Sequence, residues 1–412
     1  MLVDFSVRNF GPFKDRLALS MGATALKDEP DNVFPCEQVK EGLLTSALIY
    51  GANAAGKSYL TKAMSALQIM LSRTYPTTVE YSAYQPFRLS KDTVSAPVEM
   101  RIRMIIGGIF YDYAIAYDHN TIVSESLYHY PNGRKARVFV RTGPGEFTHG
   151  DRITKSKTNP STPYLVVASE LNDGICSAFR REILTRIVIL DGNPENLVQV
   201  SCDFISRNEV LRDYAMRALR IADLGIMDYM YDEKTIPVTA LDGVSQSTLG
   251  MAEGRITVKE VYLKHDLETD GMDESSTLFP MDIESSGTKS MFGLTGPLVD
   301  ILKNGGVLMI DEFGSNLHPL ITRWLVGQFS NESNPNHSQL IVNTHDVSLM
   351  DIHDLVRRDQ IWFVNKDRRF GNSELYSLAD FNDVRKIKGI DKAYLSGRFD
   401  AVPSIRTRDV IE

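Results

Sequence analysis

The sequence predicts an α/β fold: a mainly parallel sheet flanked by helices, with an antiparallel β-subdomain and a helical insertion. Three observations carry this. The apolar runs Ala47–Tyr50, Val307–Ile310 and Leu340–Asn343 each end in a polar loop, as buried parallel strands do. Period-2 alternation around 100–140 is punctuated by Gly107-Gly108 and Asn132-Gly133, pairs suited to tight hairpins. Helical spacing returns over about 163–225.

In chain order, Val3, Phe5 and Val7 alternate with Asp4, Ser6 and Arg8, the period of a half-buried strand. The run Ala47–Tyr50 leads into a glycine loop, after which Leu60, Met64, Leu67 and Leu71 recur at helical spacing. Met100, Ile102, Met104 and Ile106 alternate with Arg101 and Arg103, and two hairpins follow around the glycine turns. Val210, Tyr214, Ala218 and Ile221 share one helical face, with Gly225 as its stop. The acidic stretch from about 264 to 276, beginning His265-Asp266-Leu267-Glu268, lacks periodicity and predicts a solvated loop. From about 279 onward strand and helix patterns alternate, predicting a mainly parallel sheet. The expected organisation is one composite domain over 1–412, with its core in 1–75 and 277–412, a β-subdomain over 80–155 and a helical lobe over 160–225. There is no heptad run, as a long coiled coil would need.

Hydrophobic residues at 43% supply enough apolar surface for a sizeable core and exclude a mostly disordered chain. The 53 acidic residues outnumber the 45 basic ones, so the net charge of -8 does not favour nucleic acid over the whole surface. Arg357, Arg358, Arg368 and Arg369 form the one basic cluster to weigh, either as a nucleic-acid contact or as a solvated face. Cys36, Cys176 and Cys202 are widely separated and suggest neither a disulfide framework nor a zinc site. The N-terminus lacks a basic and apolar leader pattern, and no apolar run is long enough to span a bilayer, so a cytoplasmic protein is expected.

Gly51-Ala52-Asn53-Ala54-Ala55-Gly56-Lys57-Ser58 matches G-x-x-x-x-G-K-[ST] between a predicted strand and a predicted helix. In that setting backbone N–H groups converge on phosphates, Lys57 brings a point charge to the β/γ oxygens and Ser58 can ligate Mg²⁺. Tyr59 opens the helix beside them. Val307-Leu308-Met309-Ile310 runs into Asp311-Glu312, which predicts a Mg²⁺-holding Asp311 and a water-orienting Glu312 at the strand's C-terminal edge. The run ending at Thr344-His345-Asp346 places His345 at the same edge, where it could sense a γ-phosphate. Glu284-Ser285-Ser286-Gly287-Thr288 opens a helix bearing Met291, Leu294, Leu298 and Ile301. It reads either as a serine helix cap or as a phosphate-docking loop at a helix N-terminus. Gln85 reads either as a polar strand residue or as a glutamine that joins the nucleotide site to the inserted lobe.

These motifs, with the strings FSVRNFGPF, YQPFRLS, ESSGTKSMFGL, MIDEFGSNLHP and NTHDVSLMD, resemble the stand-alone ABC/SMC-like ATPases grouped with the AAA family. Among those the chain looks most like the RloA/AbiL-type proteins of phage-defence and abortive-infection operons. The resemblance implies a P-loop NTPase fold of ABC/SMC-head type, with ATP and Mg²⁺ as ligands. Lys57, Glu312 and His345 would be catalytic, while Gly51, Asn53, Ala54, Ala55, Gly56, Lys57, Ser58 and Tyr59 bind nucleotide. Ser58, Asp311 and Gln85 would surround the metal. Ser285, Ser286, Gly287 and Thr288 hold the place of the signature loop, which docks on the nucleotide of a second subunit. Here ESSGT stands where transporter-type ABC proteins have LSGGQ. Ser315-Asn316-Leu317-His318 resembles the D-loop. The implied assembly is an ATP-sandwiched homodimer, or a higher oligomer, acting on a co-encoded effector such as a nuclease. The rivals are a RecF-like ATP-gated DNA-repair factor and a scaffold restraining a toxic effector. GTP ranks behind ATP because no Asn-Lys-x-Asp motif is present.

Overall fold

A computed structural model describes residues 1–72, 83–206, 208–222, 224–237, 255–267, 276–381, 384, 387 and 389–403. In chain order the first half contains β1 (Leu2–Arg8), β2 (Leu17–Ser20), β3 (Val33–Cys36), β4 (Val39–Leu44), β5 (Ser46–Gly51) and α1 (Lys57–Ser72). Then come β6 (Val98–Ile106), β7 (Ile109–Tyr117), β8 (Ile122–Tyr130), β9 (Ala136–Gly143), β10 (Glu146–His149), α2 (Arg152–Lys157), α3 (Tyr164–Glu170) and α4 (Gly174–Arg186). The second half has β11 (Ile187–Leu190), α5 (Pro194–Ile205), α6 (Glu209–Ile221), β12 (Asp228–Pro237), β13 (Arg255–Asp266), β14 (Ser276–Pro280) and α7 (Ser286–Asn304). It closes with β15 (Val307–Phe313), α8 (Pro319–Gly327), β16 (Gln339–Thr344), β17 (Ile361–Lys366), β18 (Ser373–Ser377) and α9 (Ile390–Leu395). Among the described residues no helix is long and apolar enough to cross a membrane.

The chain divides into two compact units. The first, residues 1–189, 304–315 and 322–412, holds two large sheets. One runs β11-β15-β16-β5-β17-β18, with β15, β16, β5 and β17 mutually parallel and β18 antiparallel at its edge. The other runs β10-β9-β8-β7-β6-β1-β2. The strands expected as a β-subdomain over 80–155 continue a sheet begun at the N-terminus, because Phe5 and Val7 pair with Ile102 and Met100. β1 is also not half-buried: Asp4 and Ser6 are buried as well, the former by an ion pair with Arg103. Both predicted hairpin turns are present, with positive φ at Gly107, Gly108, Asn132 and Gly133. A single apolar cluster takes in residues of both sheets and of α1, α3 and α4, including all of Leu60, Met64, Leu67 and Leu71.

The second unit, residues 190–303 and 316–321, contains α5, α6, α7 and the antiparallel sheet β12-β13-β14. In it lie residues 277–303 with α7, expected in the core, and α5 and α6, expected in the 160–225 lobe; α5 packs on α6, and Gly293 and Gly296 of α7 lie against Leu197 and Ser201 of α5. The predicted face of α6 is corrected: Val210, Tyr214 and Ile221 are exposed, and Leu211, Ala215, Ala218 and Leu219 are buried. The helix carries two apolar stripes, and Arg217 interrupts the exposed one. His265 and Asp266, read as loop, belong to β13, and the His265 ring lies 2.8 Å from Glu284. Residues 268–275 of that stretch lie outside the described residues.

Candidate nucleotide site

The glycine motif closes β5 and opens α1. Ala54 and Gly56 take positive φ, 60° and 110°, and a Cβ on Gly56 would lie 2.8 Å from Pro12 Cγ, so this turn needs its glycine. Ser373 braces the loop, its hydroxyl donating to Ala55 O at 2.6 Å and its N–H to Pro12 O at 2.9 Å. Asn53 and Ala54 are exposed, Ala55 is buried, and Gly56, Lys57 and Ser58 are half-buried. Lys57 Nζ donates to Gly51 O at 2.9 Å and Ala52 O at 3.2 Å. Burial lowers its pKa, and the fields of Asp311 and Glu312 oppose that fall. Tyr59 packs edge-on between Phe10 and Phe13, at 6.3 and 6.4 Å.

A cavity of about 680 Å³ lies over this loop, lined among others by Lys57, Ser58, Tyr59, Lys62 and Gln85. That volume suits a nucleotide-sized ligand. Gln85 stands in a loop rather than the strand that sequence suggested, and its carbonyl accepts from Gly11 N at 2.7 Å. The buried Asn9 fixes that loop from the other side: its Oδ1 accepts from Phe87 N, and its Nδ2 donates to Thr93 O and Ala96 O, all at 2.9 Å.

Two strands bring the acidic and imidazole groups to the same sheet edge. In the β15–β16 register Ile310 faces Val342 and Phe313 faces Thr344, so Asp311 and Glu312 stand opposite the single residue Asn343. This is a β-bulge, with Glu312 at φ 51°. Strict alternation would send the two carboxylates to opposite faces of the sheet; the bulge re-aims them. Asp311 Oδ1 accepts from Asn343 Nδ2 at 2.9 Å and from Glu312 N at 3.2 Å. Glu312 is exposed, and its carbonyl accepts from the Ser315 hydroxyl at 2.5 Å. His345 follows β16 and is exposed. Partial burial lowers its pKa, Lys57 adds to the effect and Glu312 opposes it. Lys57, Glu312 and His345 thus share one electrostatic environment.

In the second unit, Ser285 caps α7: Thr288 N donates to its hydroxyl at 3.1 Å, and the two hydroxyls are 2.9 Å apart. Ser286 is exposed, Gly287 half-buried and Thr288 buried. A Cβ on Gly287 would lie 3.0 Å from Asn316 O, so the signature-like and D-loop-like segments touch. The arginine cluster does not exist as one surface. Arg357 is buried against Asp359 and accepts no solvent role, Arg358 is paired with Asp28, and Arg368 and Arg369 are exposed in a separate turn. Sequence reasoning missed Asn9, Asn343 and Ser373; the signal for Asn343 was an amide closing an otherwise apolar run.

A family model described as "AAA domain, putative AbiEii toxin, Type IV TA system" matches residues 46–351, from β5 to beyond His345. No curated protein matches the chain. Among solved structures it is similar to an SMC head bound to the C-winged helix domain of ScpA, with 14% identity, TM-score 0.47, and 91% of this chain and 97% of that one covered. It is also similar to the SMC head domain from Thermotoga maritima, with 12% identity, TM-score 0.41 and coverage of 91% and 98%. A third is an Smc head with an extended coiled coil bound to the C-terminal domain of ScpA, derived from Pyrococcus furiosus, with 12% identity, TM-score 0.43 and coverage of 96% and 98%.

Proposed function

The chain belongs to this AAA-domain family, and on that premise we propose that it is an Mg²⁺-dependent ATPase whose nucleotide gates a homodimer. The observation that carries the reading is the bulge that places Asp311 and Glu312 together opposite Asn343, at the sheet edge where both carboxylates act on Lys57 and Glu312 acts on His345. Ser58, Asp311 and the Gln85 amide are hard oxygen donors suited to Mg²⁺, which when bound with ATP would neutralise phosphate charge. Lys57 binds the β/γ oxygens, Glu312 orients the attacking water, and His345 contacts the γ-phosphate.

Ser286 and Gly287, at the start of a 19-residue helix, dock on the γ-phosphate held by a second copy. Hydrolysis promoted by Glu312 then opens the dimer. The family's description, which names AbiEii and type IV toxin–antitoxin systems, supports a role in abortive infection or phage defence, and we infer that this role is exerted through an effector protein. This is also the setting of the RloA/AbiL-type proteins. A DNA-gating role is less favoured, because Arg357 and Arg358 are committed to Asp359 and Asp28. Phosphate release tests the reading: the wild-type protein turns over ATP with Mg²⁺, and Lys57→Ala and Glu312→Gln each lower the rate at least a hundredfold. Equal rates in all three would remove the assignment.

A further inference from the structure

Asn343 is a buried amide, 3% exposed, in a strand position where Leu340, Ile341 and Val342 lead one to expect another apolar side chain. A buried amide must be bonded to be tolerated, so its partners indicate what it is for. Its Nδ2 donates to Asp311 Oδ1 at 2.9 Å and to Thr61 Oγ1 at 3.1 Å. An NH₂ group carries two hydrogens, so both bonds form together. Thr61 is itself buried and lies three residues after Ser58 on α1, one turn along the same helix. Asp311 Oδ1 takes its other bond from Glu312 N. Both bonds to this carboxylate therefore fall on one oxygen, and Oδ2 has no hydrogen-bond partner among the described residues.

Resting on the nucleotide reading above, we propose that Asn343 is a positioning residue that aims Asp311 Oδ2 at the nucleotide's Mg²⁺ and ties that carboxylate, through Thr61, to the helix carrying Ser58. Its register makes this possible: Asn343 is the single residue opposite the Asp311-Glu312 bulge, and its backbone is held against Ile49 of β5 on the other side. A carboxylate fixed before the metal arrives loses less rotational freedom on binding it, so removing the amide weakens the metal more than the nucleotide.

The test is ATP affinity by titration calorimetry, with excess EDTA and with Mg²⁺, for wild type, Asn343→Leu and Thr61→Val. Asn343→Leu is expected to bind ATP in EDTA within about twofold of wild type, and to need about tenfold more Mg²⁺ for half of the metal-dependent gain. Thr61→Val, which leaves the bond to Asp311, shifts the Mg²⁺ requirement less and in the same direction. If Asn343→Leu does not fold, Asn343→Ala is read in the same titration. An unchanged Mg²⁺ requirement, or a parallel loss of affinity in EDTA, overturns the assignment while leaving the ATPase reading intact. A wild type whose ATP affinity does not respond to Mg²⁺ at all overturns that reading and this one with it.

Discussion

The buried hydroxyl of Thr322, on α8, donates to Asp346 Oδ2 at 2.6 Å. Asp346 also accepts from Ser348 N at 2.9 Å through Oδ1 and from Tyr50 Oη at 3.1 Å through its carbonyl. Its own N–H donates to Thr344 Oγ1 at 3.0 Å, and that hydroxyl donates to Phe313 O at 2.8 Å. His345 is therefore held from both flanks, once to the strand that carries Asp311 and once to α8.

Thr322→Val keeps the shape and removes the donor. Stability should fall by about 1–2 kcal/mol, the cost of a carboxylate short of a partner in a half-buried place. Phosphate release should slow more than ATP affinity falls, because His345 loses one of its two supports. Denaturant melts and steady-state kinetics on the same preparations measure both.

His345 gives a pH signature. Its folded pKa lies below the ordinary 6.5, so as pH falls through 6.5 the unfolded chain takes up this proton before the native one does. Its contribution is neutral above that window and turns against folding as acid is added, levelling off below the native value. Melting curves between pH 7.5 and pH 5 should show wild type losing more stability than His345→Gln; identical slopes would contradict the shift. The difference should be small, since the ring is exposed.

Glu125 tests the first unit's core. It is 1% exposed on β8, and it accepts from Tyr164 N at 2.6 Å, Leu165 N at 3.0 Å and the Tyr113 hydroxyl at 2.9 Å. It thereby caps α3, whose own N-cap is Pro163, and it lies near the buried Arg141. Glu125→Leu should cost about 2–4 kcal/mol, because it leaves two helix N–H groups and the buried Tyr113 hydroxyl without their acceptor, while Arg141 keeps its bonds to the carbonyls of Gly143, Asn159, Pro160 and Thr162. A urea melt that moves by less than 1 kcal/mol would show that water or a rearranged partner replaces the carboxylate.

In the second unit, Gly293 of α7 lies against α5, and a Cβ there would be 2.3 Å from Leu197 Cβ. Helix propensity alone makes Gly→Ala favourable by about 1 kcal/mol. The overlap costs about 1–3 kcal/mol, so Gly293→Ala should destabilise on balance. Thermal melts of that variant, with Gly327→Ala on the open face of α8 as the control, decide which effect wins.

The parts of the fold with strong local signals were legible. Asn132-Gly133 predicts its turn because few residues tolerate positive φ, and Leu60 to Leu71 predicts α1 because its period is unbroken. The positions of Lys57 and Ser58 at the start of α1, of Asp311 and Glu312 at the end of β15 and of His345 just after β16 were legible for the same reason. The face of α6 was not, because both of its stripes are apolar and only tertiary packing chooses between them. Nor was the joining of β1 to β6, a pairing across some ninety residues that period-2 alternation cannot specify. The 311–312 bulge and the bonds of Asn343 and Asn9 were hidden because they depend on register and on partners distant in sequence.

The most direct test of the ATP-gated switch is the molar mass of wild type and Glu312→Gln by light scattering, with and without ATP and Mg²⁺. Glu312→Gln with ATP and Mg²⁺ is expected to form a particle of twice the 46.2 kDa chain mass, and Ser286→Arg in the same chain to return it to the single-chain mass. A Glu312→Gln protein that binds ATP and keeps the same mass with and without it would contradict the switch.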